Sequence, residues 1–144
     1  MKKIEKKITE ILKENILLKN EIENINIKFG DDREKVFRDI LQIVDTFENA
    51  ELLIKEKNID ASEDSKKSIA RLLTAKKKTL SILEKYNITK IVFENNIAVD
   101  KFCKIVDVEP DNNHPNNFIL SIEKDGYLIN QEILREAEVI VVKN

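Results

Sequence analysis

Apolar residues in the first thirty positions recur at alternating intervals of four and three: Ile4, Ile8, Ile11, Asn15, Leu18, Ile22, Ile25 and Phe29. That spacing is a heptad seam, with Ile8, Asn15, Ile22 and Phe29 at a and Ile4, Ile11, Leu18 and Ile25 at d. A single helix has nothing of its own against which to bury so long a stripe, so a second copy of the chain is the simplest partner. The pattern therefore predicts a coiled-coil stalk over about residues 1–30 of a homodimer. Asn15 is the polar member of the seam. A buried asparagine at a fixes register and favours two strands, at some cost in stability; the alternative is a surface asparagine on a loosely packed helix.

Gly30-Asp31-Asp32 interrupts the seam, either as a stutter within one helix or as a break. Beyond it the apolar face widens through Val36, Phe37, Ile40, Leu41, Ile43, Val44, Phe47 and Ala50, which suits a bundle better than a two-stranded coil. Phe37, Ile40, Leu41, Val44 and Phe47 join the stalk residues as expected dimer contacts. The long first helix is expected to run to residue 57. A polar turn, Asn58 to Ser65, separates it from a second helix over 65–86 bearing Ile69, Leu72, Leu73, Leu80, Leu83 and Tyr86 on one side. Two copies of this helical hairpin make a four-helix bundle.

After Tyr86 the period changes. Ile88 to Phe93, Phe102 to Val108, Phe118 to Glu123 and Val139 to Val142 are short β-branched or aromatic runs. Turn signals lie between them at Glu94-Asn95-Asn96, at Asp111 to Asn117, and at Lys124-Asp125-Gly126. Asp125-Gly126, flanked by apolar runs, reads as a hairpin tip. The fold class expected is α+β: a long N-terminal coiled-coil helix and helical hairpin forming a dimeric four-helix bundle, then a small all-β domain over 87–144.

Composition narrows the chemistry. Two glycines (Gly30, Gly126), two prolines, one histidine and one cysteine in 144 residues supply no Gly-rich phosphate loop and no Cys/His zinc set. Cys103, in a β-branched run, reads as a small buried hydrophobe. His114, beside Pro115, reads as exposed and idle. No cofactor, metal or small-molecule substrate is expected, and no enzymatic activity. A formal net charge of −2 offers no field for nucleic acid or anionic lipid, and Lys76-Lys77-Lys78 reads as a wet helix face. No apolar run reaches the ~20 residues of a membrane span. The N-terminal lysines have no apolar stretch behind them, so no signal peptide is expected and the cytoplasm is the expected compartment.

Three segments resemble one known family. Gly126-Tyr127-Leu128-Ile129-Asn130-Gln131-Glu132-Ile133-Leu134-Arg135-Glu136-Ala137-Glu138-Val139-Ile140-Val141 is similar to the GrpE signature, roughly G-Y-x-L-x-x-R-x-L-R-P-A-x-V-x-V. Leu41-Gln42-Ile43-Val44-Asp45-Thr46-Phe47-Glu48-Asn49-Ala50 resembles that family's L-L-P-V-L-D-N-L-E-R-A. Leu83-Glu84-Lys85-Tyr86-Asn87-Ile88-Thr89-Lys90-Ile91 resembles its L-x-K-x-G-V-E-x-I. The three occur in the family's order, between Leu41 and Val141.

The resemblance implies a homodimeric co-chaperone whose β-domain binds the ATPase domain of a DnaK-type chaperone and speeds ADP release. Exchange of this kind needs no catalytic side chain. A factor that prefers the open, nucleotide-free cleft must weaken ADP binding by the same factor. On motif position and loop placement, Lys90, Ile97, Lys101, Asn112, Ile129, Glu132 and Arg135 are the expected partner contacts. Departures are visible. Ile97 to Lys104 replaces the family's FDPxxHEA; Glu132 reverses the charge of its first signature arginine; Glu136 replaces its proline and Asn87 its glycine. Arg135 is retained. These departures favour, as alternative, a coiled-coil adaptor or structural dimer that kept the architecture and lost exchange. An enzyme using carboxylates such as Asp45 or Glu123 is the remaining rival. Gly126 and Tyr127 are also explained as ordinary strand and turn chemistry.

Overall fold

The computed structural model describes residues 1–59 and 62–144. The expected turn from Asn58 to Ser65 therefore lies partly outside the described residues, at Asp60 and Ala61. Among the described residues the order is α1 (Lys2–Lys57), α2 (Glu63–Lys85), β1 (Ile88–Lys90), a 3-10 turn (Glu94–Asn96), β2 (Cys103–Glu109), β3 (Ile119–Lys124), β4 (Tyr127–Ile129), β5 (Glu132–Arg135) and β6 (Ala137–Val142). Two long helices followed by short strands make the chain α+β. It divides into two compact units, Met1–Phe37 and Arg38–Asn144.

The first unit is helical throughout. Helix α1 has 56 residues with Glu5 in its first turn and Lys55 and Lys57 in its last, charges that complement the helix dipole. It runs on through Gly30, where a Cβ would meet nothing within 4 Å. A mid-helix glycine costs about 1 kcal/mol relative to alanine, which a helix without proline absorbs. The break entertained at Gly30-Asp31-Asp32 is absent. Ile4, Ile8, Ile11, Leu18, Ile22, Ile25 and Phe29 are 49% to 69% exposed, so the single chain leaves the seam uncovered.

In the second unit, Ser62 caps α2: its hydroxyl accepts from the Ser65 amide at 3.1 Å, and Glu63 and Asp64 follow in the first turn. The helix thus starts two residues ahead of the expected Ser65. It ends at Lys85 with Tyr86 as its cap, after which Asn87 takes φ 62°, the left-handed C′ position usually given to glycine. That is why an asparagine serves where the resembling motif has glycine. The chain repeats this economy elsewhere. Asn58, Asn95, Asn96, Asn117 and Asn130 also have positive φ, a region asparagine tolerates better than other non-glycine residues.

The strands form two three-stranded sheets, ordered β1-β4-β5 and β2-β6-β3. The first is antiparallel, with Ile88 opposite Ile129 and Tyr127 opposite Arg135. In the second, β6 pairs parallel to β2 and antiparallel to β3. Ile91, Phe93, Cys103, Ile119, Ala137, Val139 and Val141 form a buried cluster, with Ala98, Phe102 and Leu128 packed against it.

This topology corrects the expected hairpin tip. Strands β3 and β4 do not pair with each other; Asp125-Gly126 carries the chain from one sheet to the other. Gly126 has no positive φ. It is needed for space, because a Cβ there would lie 2.5 Å from the Ala137 nitrogen and 2.8 Å from Ile91 Cδ1. The tight hairpin joins β4 to β5 instead. Asn130 and Gln131 have φ of 49° and 70°, the two positive values a two-residue type I′ turn requires.

Candidate partner-binding surface

Strand β5, with Tyr127 across from it, faces a patch of charge on α1. Asp45 lies one residue beyond the fully buried Val44, so the helix period brings its carboxylate to the edge of the packed face. Arg135 reaches it as a fork: Nη1 donates to Oδ2 and Nη2 to Oδ1, both at 2.8 Å. The same guanidinium donates to the Asp125 carbonyl, from Nε at 3.0 Å and from Nη2 at 2.6 Å. It also sits 5.5 Å from the centroid of the Tyr127 ring.

Further charges extend the network. Lys90 Nζ lies 3.2 Å from Asp125 Oδ2 and 3.7 Å from Glu48 Oε1. Lys76 of α2 lies 3.0 Å from Glu51 Oε2 and 3.6 Å from Glu48 Oε1. Burial, and then the hydrogen bond with and repulsion by Asp125, raise the Glu48 pKa above its ordinary 4.5. The hydrogen bond from Lys76 lowers that of Glu51. Tyr127 is 2% exposed and its hydroxyl has no hydrogen-bond partner among the described residues. Burial, with Asp125 next, pushes its phenol pKa well up.

The residues expected at the partner surface do not all come together. Arg135 and Lys90 meet in this network, joined through Asp125. Ile97 and Lys101 meet elsewhere: Ile97 bridges to Phe118 and lines an open depression of about 470 Å³ with Val92, Phe93, Val99 and Phe102, while Lys101 Nζ lies 5.6 Å from the Phe102 ring centroid. Asn112 and Glu132 are exposed. Ile129 is only 3% exposed: it alternates inward on β4, so its side chain is core and not surface. Val92, past the end of β1, is 84% exposed; its sequence hides this, because an apolar residue in a β-branched run looks like core.

Of the expected dimer contacts on the helix beyond the seam, Phe37, Leu41 and Val44 are buried within the single chain, whereas Ile40 and Phe47 remain partly exposed. Cys103 is buried and unpaired, and burial raises its thiol pKa. His114 is less idle than expected: Nδ1 lies 2.7 Å from Asp111 Oδ2 and the ring stacks on Phe118 at 4.0 Å. Among the described residues no group of three or more His, Cys, Asp or Glu is placed to hold a metal ion, and no helix is long and apolar enough to cross a membrane.

Comparison with known proteins adds a family. The GrpE family model matches residues 1–143. Protein GrpE of Methanosarcina barkeri is 29% identical over 113 residues, covering 77% of this chain and 51% of that protein. The mitochondrial GrpE protein homolog of Neurospora crassa is 26% identical over 117 residues, covering 77% and 49%. Protein GrpE 2 of Buchnera aphidicola is 28% identical over 110 residues, covering 76% and 56%. The chain spans about half the length of these curated relatives. With the family model matched over nearly every residue and the α-then-β architecture in place, the chain belongs to the GrpE family.

Proposed function

We propose that this chain is a co-chaperone that acts as a homodimer, binding the ATPase domain of a DnaK-type chaperone and accelerating ADP release. The observation that carries the reading is the family match over residues 1–143. The uncovered heptad seam supports the dimer, since seven large apolar side chains on one helix face are a pairing surface and not a solvated one. Asn15 at a sets two strands in register. The strand region offers the partner Val92, Ile97, Val99 and Phe102, with Lys101 beside Phe102, and separately the exposed Asn112 and Glu132. Arg135 and Lys90 act through Asp45, Glu48 and Asp125. The work is mechanical: tighter binding to the open cleft weakens nucleotide affinity by an equal factor, about tenfold for each ~1.4 kcal/mol.

Stopped-flow release of a fluorescent ADP analogue from the DnaK-type chaperone of the same organism tests this. Acceleration that saturates with added protein is expected, and no acceleration overturns it. The exposed Glu132, whose charge opposes the family's arginine, favours a second reading, a dimeric adaptor without exchange activity. Chaperone binding without faster ADP release would select that reading.

A further inference from the structure

Asp45 and Arg135 are 90 residues apart and lie on α1 and β5. We propose that their fork is a positioning device, one that fixes the orientation in which the strand region is carried on the helix so that partner binding is converted into nucleotide release. This rests on the exchange reading above.

Three features of the geometry point there. First, the contact is bidentate, with both guanidinium Nη atoms and both carboxylate oxygens engaged. A two-point contact restricts rotation as well as distance, which a lysine at the same place would not do. Second, the guanidinium also holds the Asp125 carbonyl, at the crossing between the two sheets. One side chain thereby ties α1 to the point where both sheets begin to diverge. Third, a second tether closes a ring: Asp125 binds Lys90 of β1, and Lys90 returns to Glu48, less than one helical turn from Asp45. Partly buried ion pairs of this type add little net stability against an apolar replacement, because desolvation offsets the attraction. Their contribution is a defined geometry.

That geometry matters for exchange in particular. A factor shifts its partner only by its differential affinity for the partner's two states. A strand region free to swivel on its helix would follow the cleft in either state, bind both alike, and shift nothing. Loss of the fork should therefore leave binding and remove release. The two effects are separable, because affinity is read at half-saturation and release at saturation.

The test uses the full chain and three variants, Asp45→Asn, Arg135→Lys and Asp45→Glu. Spin labels on Gln42→Cys of α1 and Ser121→Cys of β3, both exposed positions, report their separation, with excess unlabelled chain present so that only one labelled copy is read. Asp45→Asn and Arg135→Lys are expected to broaden the distance distribution and lower the maximal ADP release rate about tenfold, with half-saturation changed less than about twofold. Asp45→Glu, which keeps both oxygens, is expected to restore most of the parent rate. Narrow distributions with unchanged maximal rates in both variants would overturn the proposal. So would a fall in rate accompanied by a parallel loss of binding. Failure of the parent chain to accelerate release would instead overturn the exchange reading itself, while the distance measurement still reads the fork.

Discussion

Asp45 on α1 and Arg135 on β5 meet in a two-point fork at 2.8 Å on each arm, with side chains 22% and 13% exposed. At that exposure solvent screens part of the attraction, yet hydrogen bonds to charged groups in such geometry contribute about 1.5–3 kcal/mol. A double-mutant cycle of Asp45→Ala, Arg135→Ala and the pair, read by urea unfolding, is expected to give a coupling energy of about 1–3 kcal/mol. A value below about 0.5 kcal/mol would make it an ordinary surface pair.

Gly126 sits where two sheets separate, and its missing Cβ is what lets Ala137 and Ile91 close over it. The nearest atom is backbone nitrogen, which cannot rotate away. Gly126→Ala is therefore expected to cost at least about 2 kcal/mol, as overpacking does in a fitted core. Thermal unfolding of the variant checks this; a loss of less than about 0.5 kcal/mol would show that the crossing is loose.

The helical half of this fold was legible because its signal is periodic and long. Ile4 to Phe29 kept register for more than three heptads, and that required no knowledge of tertiary contacts. The strand half was legible only in part. The glycine drew the turn to Asp125-Gly126, while the actual type I′ turn used Asn130-Gln131, a pair that carries no glycine signal. Strand β5 is not legible in the sequence, because Glu132 and Arg135 break the apolar run at its two ends. Exposure is hard to read for the same reason: on a strand, inward or outward is decided by register, which turns Ile129 of β4 inward, while Val92, past the end of β1, is exposed. The Asp45–Arg135 pair joins positions too distant in sequence for spacing to show. The retained arginine and an aspartate beside a buried valine were its only traces.

Tyr127 buries a hydroxyl that finds no hydrogen-bond partner among the described residues, while its ring packs under Arg135. An unsatisfied buried hydroxyl costs about 1–3 kcal/mol, and phenylalanine fills the same space without it. Tyr127→Phe is expected to unfold at the same or higher temperature than the parent. A drop of more than about 1 kcal/mol would reveal a hydrogen bond to water that holds the hydroxyl.

Gln131 takes φ 70°, a region that penalises side chains with a Cβ by about 1 kcal/mol. Asn130-Gly is the pairing preferred by this turn. Gln131→Gly is expected to raise stability by about 0.5–1 kcal/mol in urea unfolding, with the greater freedom of glycine in the unfolded chain offsetting part of the gain. Destabilisation would indicate that the glutamine side chain makes a contact worth more than the strain.

Glu48 and Glu51 lie three residues apart on α1 and answer pH in opposite directions. Burial, followed by Asp125, raises the Glu48 pKa, so the folded protein holds that proton more tightly than the unfolded chain. Its contribution to stability is complete below about pH 4.5 and is lost as pH rises through the folded value. Glu51 is lowered, chiefly by the hydrogen bond from Lys76; its contribution is present above about pH 4.5 and is lost as pH falls through the folded value. Glutamine removes either titration. Between about pH 4 and pH 7, unfolding free energies of Glu48→Gln should gain on the parent as pH rises, and those of Glu51→Gln should fall behind it. Parallel profiles for Glu48→Gln and the parent would mean that Lys90 and Lys76 neutralise the Glu48 carboxylate as fully as water does.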